Sequence, residues 1–138
     1  MRESIVVLYS ANDLASLSAK EKMLNTLKIT VLDKDTELKY EKQTRNIHEV
    51  AFTNGDRIMA MPIGTPIHGV RMTHLFLSKE VFNLSNIEDY ISDWCIPNIV
   101  TKDMYSGVSP NDRTYVFGLE NGLLNVNFYE IVVDENKK

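Results

Sequence analysis

The sequence predicts an α/β protein with a mainly parallel central sheet, flanked by helices and carrying one β-hairpin. Three observations predict it. Residues 5–9 (Ile5, Val6, Val7, Leu8, Tyr9) are a strand-length apolar run, and 73–77 (Thr73, His74, Leu75, Phe76, Leu77) read as another buried strand. An unbroken apolar run suits a strand covered on both faces, as in a parallel sheet. The first run is followed by helix-capping residues and by apolar positions near the helical period, the opening of an α/β unit. Asn54-Gly55 separates two further strand-like runs, and that dipeptide favours the positive φ angles of a tight hairpin.

The bulk composition narrows the classes. With 138 residues the chain can bury one core, so one domain over residues 1–133 and a frayed tail over 134–138 are expected. A hydrophobic fraction of 43% and a charged fraction of 25% are those of a soluble globular protein. The formal charge is -4 and Lys and Arg form no cluster. Duplex affinity rests on cations that neutralise phosphates, so autonomous DNA binding is not expected. One cysteine, Cys95, leaves no internal disulfide and suits a reducing compartment. The first apolar run, about seven residues, is too short for a signal peptide or a membrane span. An intracellular protein away from membranes is expected.

The elements follow in order. After the first strand, Ser10, Ala11, Asn12 and Asp13 offer helix N-caps. Leu14, Leu17, Met23, Leu24 and Leu27 then form an apolar face, with Lys20, Glu21 and Lys22 opposite. Residues 29–42 are mixed and charged and predict no element. Residues 47–52 and 57–61 make the hairpin around Asn54-Gly55, and Pro62, Gly64 and Pro66 open a loop reaching Arg71. Beyond the strand at 73–77, Ser85 and Glu88 stand at capping-box spacing. They predict a helix through Ile87, Tyr90, Ile91 and Trp94, closed by Pro97. A Ser, Gly, Pro and Asn-rich loop over 106–112 leads to a strand at 114–117. A turn over 118–122 and a short helix or final strand over 128–133 complete the series.

Read together, these segments resemble the ATPase core of phage large terminase subunits. The phrase Asn54-Gly55-Asp56-Arg57-Ile58-Met59-Ala60-Met61-Pro62 is similar to that family's hairpin "N-G-S-x-I-x-A-x-P". His68-Gly69-Val70-Arg71 looks like its following Arg-containing loop. His74-Leu75-Phe76-Leu77-Ser78-Lys79-Glu80 resembles its Walker B strand, which ends in Asp-Glu. Residues 95–99 are similar to the segment before the family's next strand. Thr114 to Gly122 with Asn127-Phe128-Tyr129-Glu130 looks like the coupling strand, which usually reads "S-T-P-N-G" before a Phe-Tyr-Glu segment. The likeness runs from Ile5 to about Glu130 and rests on order and spacing. It implies a truncated P-loop NTPase core, the part after the phosphate-binding loop.

The positions that would carry chemistry depart from the family. No G-x-x-x-x-G-K-[ST] occurs. Lys79 stands where the metal-binding Asp belongs; its positive charge repels a divalent ion and removes an oxygen ligand. Leu119 and Glu120 replace the expected Thr-Pro. By resemblance only, Glu80 is the water-activating carboxylate, a vestige; as a lone strand-end carboxylate it reads as a solvated group. Arg71 would reach the phosphates of a neighbouring subunit's nucleotide, or simply anchor its loop. Asn121 in the coupling turn is the second binding position the resemblance implies. His48, His68 and His74 show no metal-ligand spacing, so no metal and no cofactor are expected. Cys95 beside Trp94 reads as a buried thiol.

The resulting expectation is a terminase-like protein without ATPase activity of its own. It would act as part of a split large subunit, or associate with the DNA-packaging machinery, in the cytoplasm of the infected bacterial host. A protein partner or self-association is implied. The alternative is a repurposed pseudo-ATPase binding a protein or nucleotide-like ligand as inhibitor, decoy or structural subunit. An autonomous enzyme of unrelated mechanism ranks last.

Overall fold

The computed structural model describes residues 3–32, 36–65, 71–99 and 113–128. Among these, seven strands form one sheet in the order β2-β3-β4-β1-β5-β6-β7. The strands are β1 (Ser4–Tyr9), β2 (Leu38–Gln43), β3 (His48–Phe52), β4 (Arg57–Pro62), β5 (His74–Ser78), β6 (Thr114–Glu120) and β7 (Leu123–Phe128). Helix α1 is Leu14–Leu32 and the short α2 is Ile87–Tyr90.

The sheet is mixed, which corrects the mainly parallel expectation. β1 runs parallel to β4 and β5, and β5 parallel to β6. The pairs β2–β3, β3–β4 and β6–β7 are antiparallel. A parallel neighbour needs a crossover of a dozen or more residues, and the flanking strands are joined by connections far too short for one. The single expected hairpin is therefore one of three.

Alternation along β1 feeds two cores. Val6 and Leu8 face Leu75, Leu77, Val81, Ile87, Ile91 and Cys95 on one side. Ile5, Val7 and Tyr9 face Ala19, Met23, Leu24, Val50, Phe52 and Phe117 on the α1 side. Burying a side chain such as Leu8 completely stabilises the fold by about 2 kcal/mol, and β1 does so on both faces, as its unbroken run predicts.

Helix α1 sits on the sheet through Ser16, Ala19, Lys20, Met23 and Leu24, the i, i+3, i+4 stripe of one helical face. The expected face is shifted by this. Leu14 is 81% exposed, whereas Lys20 is 4% exposed. Small Ser16 and Ala19 bring the helix close to the sheet. Lys20 lays its stem against it, with its Nζ 5.0 Å from the centre of the Tyr9 ring and 3.1 Å from Glu21. Asp13 caps the helix, its Oδ1 accepting from the N–H of Ala15 at 2.9 Å and of Ser16 at 3.4 Å.

Residues 29–42, which predicted no element, extend α1 to Leu32 and supply β2. All six residues of β2 are exposed, so no burial pattern marked it. Glu41 ties β2 to its neighbours: it accepts from Lys28 on α1 at 3.2 Å and pairs with His48 Nε2 at 2.5 Å.

The β3–β4 turn forms at the expected place with a different geometry. Gly55 alone takes a positive φ of 97°. Its N–H donates to the Phe52 carbonyl at 3.0 Å, and the Phe52 N–H to the Asp56 carbonyl at 2.9 Å. This closes a three-residue loop instead of a two-residue one. The expected turn over 118–122 contracts to Asn121 (φ 55°) and Gly122 (φ 80°), because Gly118–Glu120 belong to β6.

The Ser85–Glu88 capping box does not form. Asn86 stands at the N-terminus of α2 in the left-handed region with no side-chain cap. The helix widens into a π-type stretch over Ile91–Cys95 and tightens into a 3-10 turn over Ile96–Asn98. Pro97 therefore sits in the first turn of that 3-10 segment, where its missing N–H is tolerated, and not beyond the helix. β7, over Leu123–Phe128, was not expected as a strand. Residues 129–133 of the expected final element, the tail, His68 and the loop over 106–112 lie outside the described residues.

Candidate functional site

The parallel strands have two ends, and the three residues implied by the resemblance do not meet. Glu80 and Asn121 follow β5 and β6 at the carboxyl end; Arg71 precedes β5 at the amino end. Arg71 and Asn121 are exposed, and the Arg71 carbonyl accepts from Ser4 Oγ at 3.0 Å.

Ligands of α/β sheets usually sit outside the carboxyl ends of parallel strands. Here a chain of hydrogen bonds crosses that end. The Ser10 N–H donates to Ser16 Oγ at 2.8 Å, Ser16 Oγ to Ser78 Oγ at 3.0 Å, and Ser78 Oγ to Glu80 Oε1 at 3.0 Å. Ser16 and Ser78 are completely buried. The chain of bonds ties the ends of β1 and β5 to the start of α1, with Glu80 as its terminal acceptor.

Lys79 folds its stem over Gly118: a Cβ on Gly118 would stand 2.7–2.9 Å from Lys79 Cδ, Cγ and Cε. The notch left between Lys79, Gly118 and Asn125 holds about 30 Å³, room for one water and no nucleotide. Cys95 is buried, and burial pushes its thiol up to about 12. It is a core residue, since a thiolate is needed for nucleophilic or metal chemistry.

The amino end is open. A cavity of about 450 Å³ lies against the last turns of α1. Leu27 and Val31 of α1, Ile5 of β1, Phe76 of β5 and Tyr115 of β6 form its apolar walls, and Glu3, Asn54, Asp56 and His74 its polar ones. Tyr115 stacks on Phe76 with ring centres 4.8 Å apart, and Phe128 of β7 continues the row at 5.1 Å.

The polar wall is cross-braced. The Glu3 N–H donates to Asp56 Oδ1 at 2.7 Å. Glu3 Oε1 accepts from Thr73 Oγ1 at 3.0 Å and lies 3.2 Å from His74 Nδ1. Asn54 Nδ2 donates to Asp56 Oδ2 at 3.0 Å. Burial lowers the His74 pKa below its ordinary value; Glu3 opposes this and Arg113 adds to it. The balance favours the neutral imidazole. Among the described residues no group of three or more His, Cys, Asp or Glu could hold a metal ion, and no helix is long and apolar enough to cross a membrane.

Sequence reading missed Glu3, Asp56 and Tyr115 as cavity residues. They come from separate segments, and only the parallel register of β1, β4, β5 and β6 brings them to one end. No protein-family model, curated protein or solved structure matches the chain.

Proposed function

We propose that this chain is a terminase-like scaffold without ATPase activity of its own, which acts by pairing with a protein strand along β7. The partner is a packaging polypeptide that supplies the phosphate-binding loop, and the setting is the cytoplasm of an infected bacterial host. The observation that carries this reading is the character of β7. Among the described residues it is an edge strand of the sheet, and it exposes Leu123 at 73%, Val126 at 39% and Phe128 at 64%. Such an edge offers unpaired backbone groups to an added strand, with apolar side chains to bind it.

The carboxyl end of β5 supports the same reading over the nucleotide-binding alternative. Lys79 lays its stem against Gly118, and Glu80 accepts a hydrogen bond from Ser78.

The test is recovery of the tagged chain from phage-infected cells. The expected companion is a phage polypeptide containing G-x-x-x-x-G-K-[ST], and Val126→Lys with Phe128→Lys should remove it. A monodisperse monomer from such cells, or a companion retained by the double variant, would sink the proposal. Phosphate release from Mg-ATP by the isolated chain would refute the absence of intrinsic activity.

A further inference from the structure

The cavity at the amino end adjoins the β7 edge through the Tyr115–Phe128 contact but offers a different chemistry, and three of its properties converge on one class of ligand. Its size falls in the range of small-molecule pockets, roughly 300–1,000 Å³, at about 450 Å³. Its walls are apolar, with the flat Phe76–Tyr115 stack on one side and Leu27 and Val31 on another. Among the described residues its acidic and basic lining side chains other than His74 are of one sign, namely the carboxylates of Glu3 and Asp56.

Position adds to that sign. The cavity is lined by Leu27, Thr30 and Val31 from the last turns of α1, and a helix carries partial negative charge at its carboxyl end. The last turn of α1 contains no basic residue to offset it. Arg113 acts on His74 but does not line the cavity. A phosphate-bearing ligand would meet repulsion here, whereas a cation would meet two carboxylates and an aromatic wall.

We propose that this cavity binds a small organic cation with a flat apolar body, such as an aryl amidinium or aryl-alkyl ammonium compound. The ring stacks against Tyr115 and Phe76, and the cationic head lies at Glu3 and Asp56. Asn54 and Thr73 hold the two carboxylates in place before the ligand arrives.

Calorimetric titration of the full chain with benzamidinium and phenethylammonium tests this, against the neutral benzamide and the anions benzoate and AMP. The two cations are expected to bind, benzamide several-fold more weakly, and the anions least. Affinity for benzamidinium should fall as salt is raised. Glu3→Gln should weaken benzamidinium by roughly three- to tenfold, the range for a partly exposed ion pair, and leave benzamide unchanged. Glu21→Gln, on the exposed side of α1, should change neither.

Ring-current shifts of the Tyr115 and Phe76 protons on adding benzamidinium place the ligand. Equal affinity for benzamide and benzamidinium would overturn the proposal, as would tighter binding of benzoate or AMP, or no cation binding at millimolar concentration. If Glu3→Gln perturbs folding, the neutral-isostere comparison and the salt dependence in the unaltered chain decide alone.

Discussion

At the scale of single residues, the polar wall of the cavity has a consequence for stability. The His74 pKa is lowered in the folded chain, chiefly by burial. The unfolded chain then binds more protons below about pH 6.5, the ordinary histidine value. The contribution of His74 is fully present above that pH and is lost as pH falls through the window below it. Glu41, whose pKa is lowered first by its bond from His48, adds a second loss that begins lower, below the ordinary carboxylate value. Urea denaturation between pH 8 and pH 5 should show stability decreasing on acidification, and His74→Gln should flatten the curve. A midpoint that rises toward pH 5 would contradict this assignment. None of it was legible in the sequence, where His74 is an ordinary residue of a strand-like run. Its burial and its neighbour Glu3 depend on pairing across about 70 positions, between His74 and the Ser4 end of β1.

Elements differ in how clearly the sequence announced them, and burial explains the difference. β1 and β5 were legible because strands covered on two faces leave long apolar runs. The β3–β4 hairpin was legible because turn chemistry is local, although its loop proved one residue longer than a tight Asn-Gly turn. β2 was not, since its six residues are all exposed and it joins only the edge of the sheet. The face of α1 was misjudged because buried Ser16 and Lys20 look polar in sequence. The junction of β5 and β6 permits a direct test of packing. Gly118→Ala places a Cβ against the Lys79 stem, so Lys79 must swing out. In a Lys79→Ala background the same change meets less crowding, and reduced freedom of the unfolded chain should then stabilise by about 0.4–1 kcal/mol. The two substitutions are expected to couple in a double-mutant cycle of denaturation free energies. Strict additivity would mean that Lys79 does not lie against Gly118 in solution.

For the whole molecule, the centre of the sheet and its margins are built differently. The central strands β1, β4 and β5 bury Val7, Leu8, Ile58, Ala60, Leu75 and Leu77 completely. The margins β2 and β7 are largely exposed. Local opening follows burial and contact, so amide exchange should be graded across the sheet. Hydrogen exchange followed by mass spectrometry is expected to leave β1, β4 and β5 protected longest and to release β2 first. β7 should gain protection when the proposed partner strand is bound. Protection of β2 equal to that of β1 would contradict the gradient. The α/β class was readable from the first strand and helix alone. The mixed character of the sheet was not: turns were placed at Asn54-Gly55 and over 118–122, but neither β2 nor β7 was read as a strand, so the antiparallel pairs β2–β3 and β6–β7 went unseen.

β1 lies at the middle of the sheet yet precedes its partners in the chain. Its pairings with the strands beside it join Ser4 to Arg57 and Ile5 to His74, residues far apart in the chain. During synthesis at roughly 5–20 residues per second, the segment Ile5 to Tyr9 waits several seconds before β4 and then β5 emerge to cover it. Through that interval it is an uncharged, β-branched stretch of the kind that pairs with copies of itself. The burden of shielding it falls on α1, the next segment to leave the ribosome, or on a chaperone. The central placement that makes β1 the most secure strand of the finished protein makes it the most exposed one of the nascent chain.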